Sequence, residues 1–112
     1  MYDVALIGCG GYGSYLADTI SENEHTNLVY CIDTNKSKAK ALADKFNCKY
    51  DTDYLKALLD DKVDVALIAT QADRTAELAK AAIIHGKKVF CEKPMANSVE
   101  AAVDLANIVR EY

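Results

Sequence analysis

A cluster of glycines near the N-terminus is the part of the sequence best suited to hold a ligand. Four of the five glycines lie between Gly8 and Gly13, in the pattern Gly-x-Gly-x-x-Gly. The cluster follows the apolar run Val4–Ile7, and the residues after it have apolar side chains at helical spacing. A glycine-rich turn from a strand into a helix lets backbone N–H groups and the positive end of the helix approach an anion closely. The pattern therefore predicts a binding site for the pyrophosphate of a dinucleotide.

Each part of this turn has an expected task. We expect Gly8 to form the tight turn, Gly10 to bring the backbone close to the pyrophosphate, and Gly13 to let the helix pack closely on the strand. Gly11 and Tyr12 complete the predicted cofactor-binding turn. Glycine-rich turns also occur without a ligand, so the prediction depends on the next strand of the chain and the residue that ends it.

An aspartate supplies the second half of the pattern. Asp33 ends the apolar run Leu28–Ile32 and lies 20 residues after Gly13. A carboxylate at this spacing accepts hydrogen bonds from the adenosine ribose in dinucleotide folds, although an ordinary strand-end aspartate is the alternative. Its charge repels the 2′-phosphate of NADP and so favours NAD. Lys36 and Lys38 could pair with that phosphate if Asp33 moved away, so NADP stays possible.

Short apolar runs alternate with helical patterns along the whole chain. Strands that are apolar on both faces and alternate with helices indicate a parallel sheet covered on both sides. The predicted fold class is therefore α/β, a doubly wound parallel sheet of the Rossmann type. The predicted strands are residues 4–7, 28–32, 48–52, 63–69 and 88–92, and the predicted helices are residues 14–21, 36–46, 54–59, one that ends at residue 85, and 97–111.

Composition narrows the class of protein. The 112 residues form a single predicted domain, and the net charge of −4 provides no basic surface for nucleic acid or anionic lipid. No apolar run approaches the roughly 18 residues of a membrane helix, and the N-terminus does not resemble a signal peptide, so we expect a cytoplasmic protein. The four cysteines lack CxxC spacing, so we expect buried thiols and no metal site.

The second half of the chain resembles a known enzyme family. The segments VDVALIAT and AELAKAAIIHGKKVFCEKPMANSVEAA look like the glucose–fructose oxidoreductase, inositol dehydrogenase and rhizopine-catabolism family of nicotinamide-dependent dehydrogenases. The signature of that family is Glu-Lys-Pro after the fifth strand, here Glu92, Lys93 and Pro94. With the glycine motif, the resemblance covers essentially the whole chain and implies a dinucleotide-binding domain over residues 1–112.

The resemblance also implies site residues. Lys93 matches the family's catalytic lysine, which lies beside the nicotinamide and the reacting hydroxyl and assists proton movement. Glu92 and Pro94 are expected to shape this part of the cofactor site, and Thr70 to contact the cofactor. The chain departs from the family after the fourth strand, where Thr75 stands at the position of a histidine. This departure makes the nicotinamide side of the pocket the less secure part of the prediction.

The resemblance further implies that the chain is a fragment of a longer two-domain enzyme. Family members continue into a last Rossmann strand and a substrate domain, so we expect hydride transfer to a sugar or polyol only in the complete protein. The alternatives are a free-standing NAD-sensing module without catalysis, and a methyltransferase, which also uses a glycine-rich first turn. Without the last strand, residues 88–92 become an exposed sheet edge, so we expect a homo-oligomer.

Overall fold

A computed structural model describes residues 2–70 and 72–91, which form strands and helices that alternate along the chain. In chain order the elements are β1 (Tyr2–Ile7), α1 (Gly11–Glu22), β2 (Thr26–Ile32), α2 (Lys36–Phe46), β3 (Lys49–Asp51), α3 (Tyr54–Leu58), β4 (Val65–Ile68), α4 (Ala72–Ile84) and β5 (Lys88–Cys91). Within this described part, no helix is long and apolar enough to cross a membrane. The predicted Glu92–Pro94 motif and the predicted last helix lie outside the described residues.

The five strands form one parallel sheet in the order β3-β2-β1-β4-β5. β2 and β3 lie on one side of β1, and β4 and β5 lie on the other side. This order confirms the predicted doubly wound fold. The register pairs Ile7 with both Ile32 and Ile68, the last residues of the neighbouring strands. The segments after these strands therefore meet at one edge of the sheet.

Helices cover both faces of the sheet. On the face of α1 and α2, Leu6 of β1 and Ala17 of α1 belong to one buried cluster. On the face of α3 and α4, Ile7 of β1 and Leu78 of α4 belong to another. Consecutive residues of a strand point to opposite faces, so β1 contributes to both clusters. This burial on both sides accounts for the continuous apolar runs in the sequence.

Most element bounds lie close to the sequence prediction. α2 has the predicted bounds, and the Asn35 side chain caps it by accepting a hydrogen bond from Lys38 N at 3.2 Å. Gly86 follows α4 with a φ of 79°, the left-handed conformation expected at a helix end. β4 is shorter than predicted because Val63 belongs to the preceding turn, where its N–H donates to the Asp60 carbonyl at 3.0 Å.

The start of α1 differs from the prediction. A helix was expected from Ser14, yet α1 begins at Gly11, and its first turn therefore includes Gly13. The carbonyl of Gly10 accepts a hydrogen bond from Ser14 N at 2.8 Å, which closes this turn. Glycine is a poor helix former, but tertiary packing commonly overrides propensity. The packing that does so here is the contact between α1 and the end of β1.

Two glycines make that contact possible. Gly8 has a φ of 108°, and a Cβ atom there would lie 2.5 Å from the Ala69 carbonyl oxygen. A Cβ atom at Gly13 would collide with the Gly8 carbonyl oxygen. The expected tasks of both residues, a tight turn at Gly8 and close packing at Gly13, are therefore confirmed. The backbones of three segments approach one another at this point because side chains are absent.

We expect Gly13→Ala to lower the free energy of unfolding by about 1–3 kcal/mol, because the added methyl group must push α1 away from the end of β1. Urea unfolding followed by circular dichroism measures this change. Gly11→Ala is the matched control, since a Cβ atom at Gly11 meets no atom within 4 Å. The control should be as stable as the parent chain or slightly more stable. Equal effects of the two substitutions would contradict this account of Gly13.

Candidate cofactor site

An open cleft lies at the carboxyl ends of the strands, where the strand order reverses between β1 and β4. Its volume is about 560 Å³. Crevices at this position of a doubly wound sheet are the usual ligand sites of the fold. Most lining residues end β1 and β2 or lie in the segments that follow β1, β2, β3 and β4, and four lie in α2, α3 and α4. The lining residues are Ile7, Gly8, Gly10, Ile32, Asp33, Thr34, Lys38, Thr52, Asp53, Tyr54, Ala69, Thr70, Arg74 and Leu78.

The cleft brings together four of the predicted site residues, which are Gly8, Gly10, Asp33 and Thr70. The rest of the predicted turn lies in the first turn of α1 and does not line the cleft: Gly11, Tyr12 and Gly13. The exposed Tyr12 ring lies 6.1 Å from the ring of Tyr15, on α1 itself. The Tyr12 side chain therefore does not face the cleft, and its predicted role in cofactor binding stays a prediction. The remaining predicted residues, Glu92, Lys93 and Pro94, lie outside the described part of the chain.

The start of α1 leaves room for an anion. Cβ atoms added at Gly10 or Gly11 would meet no protein atom within 4 Å, so nothing in the described chain restricts approach to this backbone. Gly10 is the residue that precedes the helix, and it has no side chain to cap it. The N–H groups of a first helical turn lack acceptors within the helix, and the helix dipole makes this end positive. The turn therefore fits the pyrophosphate of a dinucleotide.

Backbone N–H groups hold the Asp33 carboxylate in place. Its Oδ2 accepts a hydrogen bond from Cys9 N, and its Oδ1 accepts one from Asn35 N, each at 2.8 Å. Hydrogen bonds to a charged group contribute about 1.5–3 kcal/mol each, so moving Asp33 aside is costly. Each carboxylate oxygen retains a further lone pair for a ribose hydroxyl. The fixed charge opposes a 2′-phosphate, which makes the movement considered for NADP binding unfavourable.

Opposite charges line the rest of the cleft. Asp53, the residue that caps α3, contributes a second carboxylate, and Lys38 and Arg74 contribute cations. Among the described residues, neither Lys38 nor Arg74 takes part in an ion pair. Lys36, the other lysine considered for a 2′-phosphate, does not line the cleft. A chain with a net charge of −4 thus presents two cations where a ligand would lie.

Thr70 lines the cleft just after β4, and the buried side chain of Thr75 contacts it from α4. The Thr75 side chain is 2% exposed, and its Oγ1 lies 3.4 Å from both the carbonyl oxygen and the Oγ1 of Thr70. Thr75 occupies the position where the resembling family has a histidine. A buried threonine here fixes the end of β4, and it provides no titratable group to the cleft.

A group of thiols lies beneath the glycine turn. Cys31 Sγ lies 3.6 Å from Cys48 Sγ, and Cys9 Sγ donates to the Ile32 carbonyl at 3.4 Å. Hydrogen bonds to Cys48 and Cys9, together with burial, raise the pKa of the Cys31 thiol far above its usual range. Cys31 is therefore a neutral thiol of the core. No metal-binding group is found among the described residues, and their four cysteines are free.

Comparison with known proteins shows the family of this chain. The model of the GFO_IDH_MocA family, described as "Oxidoreductase family, NAD-binding Rossmann fold", matches residues 2–112. The chain belongs to this oxidoreductase family. The resemblance carried by Glu92, Lys93 and Pro94 is confirmed, and so is NAD as the cofactor. The match also favours a nicotinamide dinucleotide over the methyl donor of the methyltransferase alternative.

The solved structures to which this chain is similar include one in complex with NAD and one in complex with NADP⁺. Inositol 2-dehydrogenase of Rhizobium meliloti (strain 1021) is 34% identical over 91 residues, which cover 80% of this chain and 27% of that enzyme. GenD2 from gentamicin A biosynthesis, in complex with NAD, superposes with a TM-score of 0.93 at 29% identity over 98% of this chain and 32% of its own. Biliverdin reductase from Synechocystis sp. PCC 6803, in complex with biliverdin and NADP⁺, superposes with a TM-score of 0.89 at 25% identity. The match covers 97% of this chain and 34% of that protein.

The chain spans about a third or less of the length of these relatives.

The sequence pattern did not single out the wall of the cleft formed by Tyr54, Arg74 and Leu78. Two signals could have found it. The residues after β3 and β4 share the carboxyl edge with the glycine turn, and Arg74 precedes the apolar Leu78 by four residues, which places both on one face of a helix.

The fixed carboxylate yields a prediction for cofactor choice. We expect Asp33→Ala to weaken NAD binding by about 10-fold or more, because it removes a charged acceptor for the ribose hydroxyls. The advantage of NAD over NADP should narrow at the same time, because the charge that repels a 2′-phosphate is lost. Titration calorimetry of both cofactors against the parent chain and the variant measures the two effects.

Asp53→Asn is the matched control for this experiment. It removes the same charge from the same cleft, and asparagine preserves the cap of α3. The ratio of NAD to NADP affinity should change less than in Asp33→Ala. A ratio that Asp33→Ala leaves unaltered would contradict the assigned role of Asp33.

Proposed function

We propose that the chain is the cofactor-binding part of an enzyme that transfers hydride between a hydroxyl-bearing carbon of a sugar or polyol and a nicotinamide. The observation that carries this proposal is the cleft in which the open glycine turn and the fixed Asp33 carboxylate line one crevice. When bound there, the nicotinamide dinucleotide supplies the group that accepts or donates hydride. The inositol 2-dehydrogenase relative supports a polyol as the substrate class.

Within this proposal, each part of the chain has a separate binding task. The N-terminal turn of α1, with Gly10 and Gly11, binds the pyrophosphate, and Asp33 accepts hydrogen bonds from the ribose. Thr70 contacts the cofactor from the end of β4, next to the glycine turn. The fixed position of Asp33 favours NAD, and NADP remains the second cofactor because Lys38 lines the same cleft.

Lys93 is the catalytic residue of the proposal, with Glu92 and Pro94 shaping its segment. β5 ends at Cys91, which pairs with Ile68 of β4, so the chain reaches this motif from the edge where the cleft lies. An ammonium group beside the reacting hydroxyl stabilises a developing alkoxide and assists proton movement. The substrate itself would be selected by a further domain, as in the family that the chain resembles.

The setting proposed for this chain is the cytoplasm, with small molecules and a second copy as its partners. Free cysteines among the described residues suit a reducing compartment. The net charge of −4 makes nucleic acid an unsuitable partner, and we propose no membrane association. A homo-oligomer is proposed because β5 pairs with β4 alone in the described sheet, and its Phe90 side chain is 69% exposed.

The 112-residue chain should bind NAD and yet produce no reduced cofactor with sugars or polyols. In a complete protein that contains this chain, we expect Lys93→Ala to lower kcat by about 100-fold or more, since proton transfer loses its catalyst. Absorbance of the reduced cofactor measures the turnover of the short chain and the kcat of the complete protein. Lys88→Ala, which changes an exposed lysine of β5, is the control and should leave kcat unchanged. Robust turnover by the short chain would contradict the proposal, and an inactive complete protein that binds NAD would favour the sensor function.

Association through the β5 edge can be tested by light scattering after size exclusion over a range of concentrations. The parent chain should show a mass above that of a monomer at high concentration, and Phe90→Asp should shift it toward the monomer. Leu59→Asp is the control, because Leu59 is 66% exposed and lies at the end of α3. A strictly monomeric parent chain would refute the proposed oligomer.

A further inference from the structure

The cleft has an apolar part on the α3 and α4 side of the sheet. Ile7, Ile32 and Leu78 line the cleft and belong to the buried cluster on that face, and the half-buried Tyr54 packs against the same cluster. Asp33 directly follows Ile32, so the apolar part adjoins the carboxylate assigned to the ribose. A flat, apolar ring attached to that ribose would find its matching surface here.

Arg74 lies on the same face of α4 as this apolar lining. Arg74 and Leu78 are four residues apart in α4, so their side chains occupy consecutive turns of one helix face. Both line the cleft, but Leu78 is 1% exposed whereas Arg74 is exposed. Leu78 therefore contributes to the floor of the apolar part, and Arg74 stands at its solvent side.

The guanidinium group of Arg74 is available for a ligand. Within residues 2–70 and 72–91, it makes no ion pair, and the carboxylate of Asp33 is already held by two backbone N–H groups. A guanidinium is planar and weakly hydrated, and it stacks on nucleobases and aromatic rings more readily than an ammonium does. The cleft thus combines an apolar floor with an exposed planar cation four residues away on the same helix.

We propose that Arg74 stacks on the adenine of the bound dinucleotide and closes the adenosine end of the cleft over Leu78. This inference rests on the proposed dinucleotide binding and assigns a residue to the base. Arg74 then stabilises NAD and NADP equally, because both carry the same adenine. A contact with the 2′-phosphate, the other use of a cation at this place, would instead stabilise NADP alone.

Titration calorimetry of NAD, NADP and ADP-ribose against the parent chain and Arg74→Ala tests the proposal. Stacking by an arginine predicts that all three ligands weaken by a similar factor of about 5- to 30-fold. Arg74→Lys retains the charge without the planar group and should recover only a small part of this loss. Lys40→Ala, which removes an exposed cation outside the cleft, should leave all three affinities within about 2-fold of the parent.

The outcomes separate this inference from the proposed function. If the parent chain binds NAD, and Arg74→Ala binds all three ligands as tightly as the parent chain does, the proposed role of Arg74 is overturned. The proposed dinucleotide site then stands. A selective loss of NADP that Arg74→Lys restores overturns stacking in favour of a phosphate contact. A folded parent chain that binds none of the ligands overturns both proposals. Circular dichroism of each variant verifies the fold, which a change at an exposed side chain should preserve.

Discussion

The approach of three backbone segments at Gly8 is the constraint on which the cleft depends. The carbonyl of Gly8 occupies the space where a Gly13 side chain would lie, and the carbonyl of Ala69 occupies the space of a Gly8 side chain. α1 can therefore begin directly at the end of β1, and the end of β4 lies directly beside it. If either glycine carried a side chain, the helix N-terminus would move away from the crevice between β1 and β4. The position of the helix N-terminus at the cleft is thus a result of close packing.

Hydrogen bonds to Asp33 link the glycine turn after β1 to the segment after β2. The Asp33 carboxylate joins Cys9 of the glycine turn to Asn35, which caps α2, so one side chain fixes the relation of two helices to the cleft. The same carboxylate faces the cleft, where a ribose would approach. In the proposed binding mode the ribose and the two backbone N–H groups share one carboxylate, so a change at Asp33 should affect both binding and structure. This double use explains why a strand-end aspartate, which alone would mean little, is informative at this spacing.

The fold and the glycine turn could be predicted because their signals are local. The run from Val4 to Ile7 is apolar at every position, as a strand buried on both faces requires, and the spacing from Gly13 to Asp33 matches one strand–helix–strand unit. The bounds of α2 were predictable for the same reason, since residues 36–46 are rich in alanine, lysine and leucine, which favour a helix. The sequence also indicated the family through three consecutive residues, Glu92 to Pro94.

The wall formed by Arg74 and Leu78 could not be predicted in the same way, because it is assembled by topology. Arg74 looks like any exposed residue of an amphipathic helix until the sheet order places β4 beside β1. The start of α1 was misjudged for a related reason. Glycine propensity argues against a helix at Gly11, and only the packing of Gly13 against Gly8 reveals why one forms there. Tertiary contacts decided both cases.

The end of β4 limits where proton-transfer chemistry can come from in the proposed reaction. Thr75 is buried, and its hydroxyl lies within 3.4 Å of the Thr70 hydroxyl and carbonyl oxygens, so this position stabilises the strand end. A histidine at the same position could exchange protons near neutral pH, whereas a threonine hydroxyl cannot. The acid and base groups of the proposed reaction must therefore come from other segments, and Lys93 follows the neighbouring strand. In the proposed function, the described cleft recognises the adenosine and pyrophosphate groups, and catalysis would depend on groups outside the described residues.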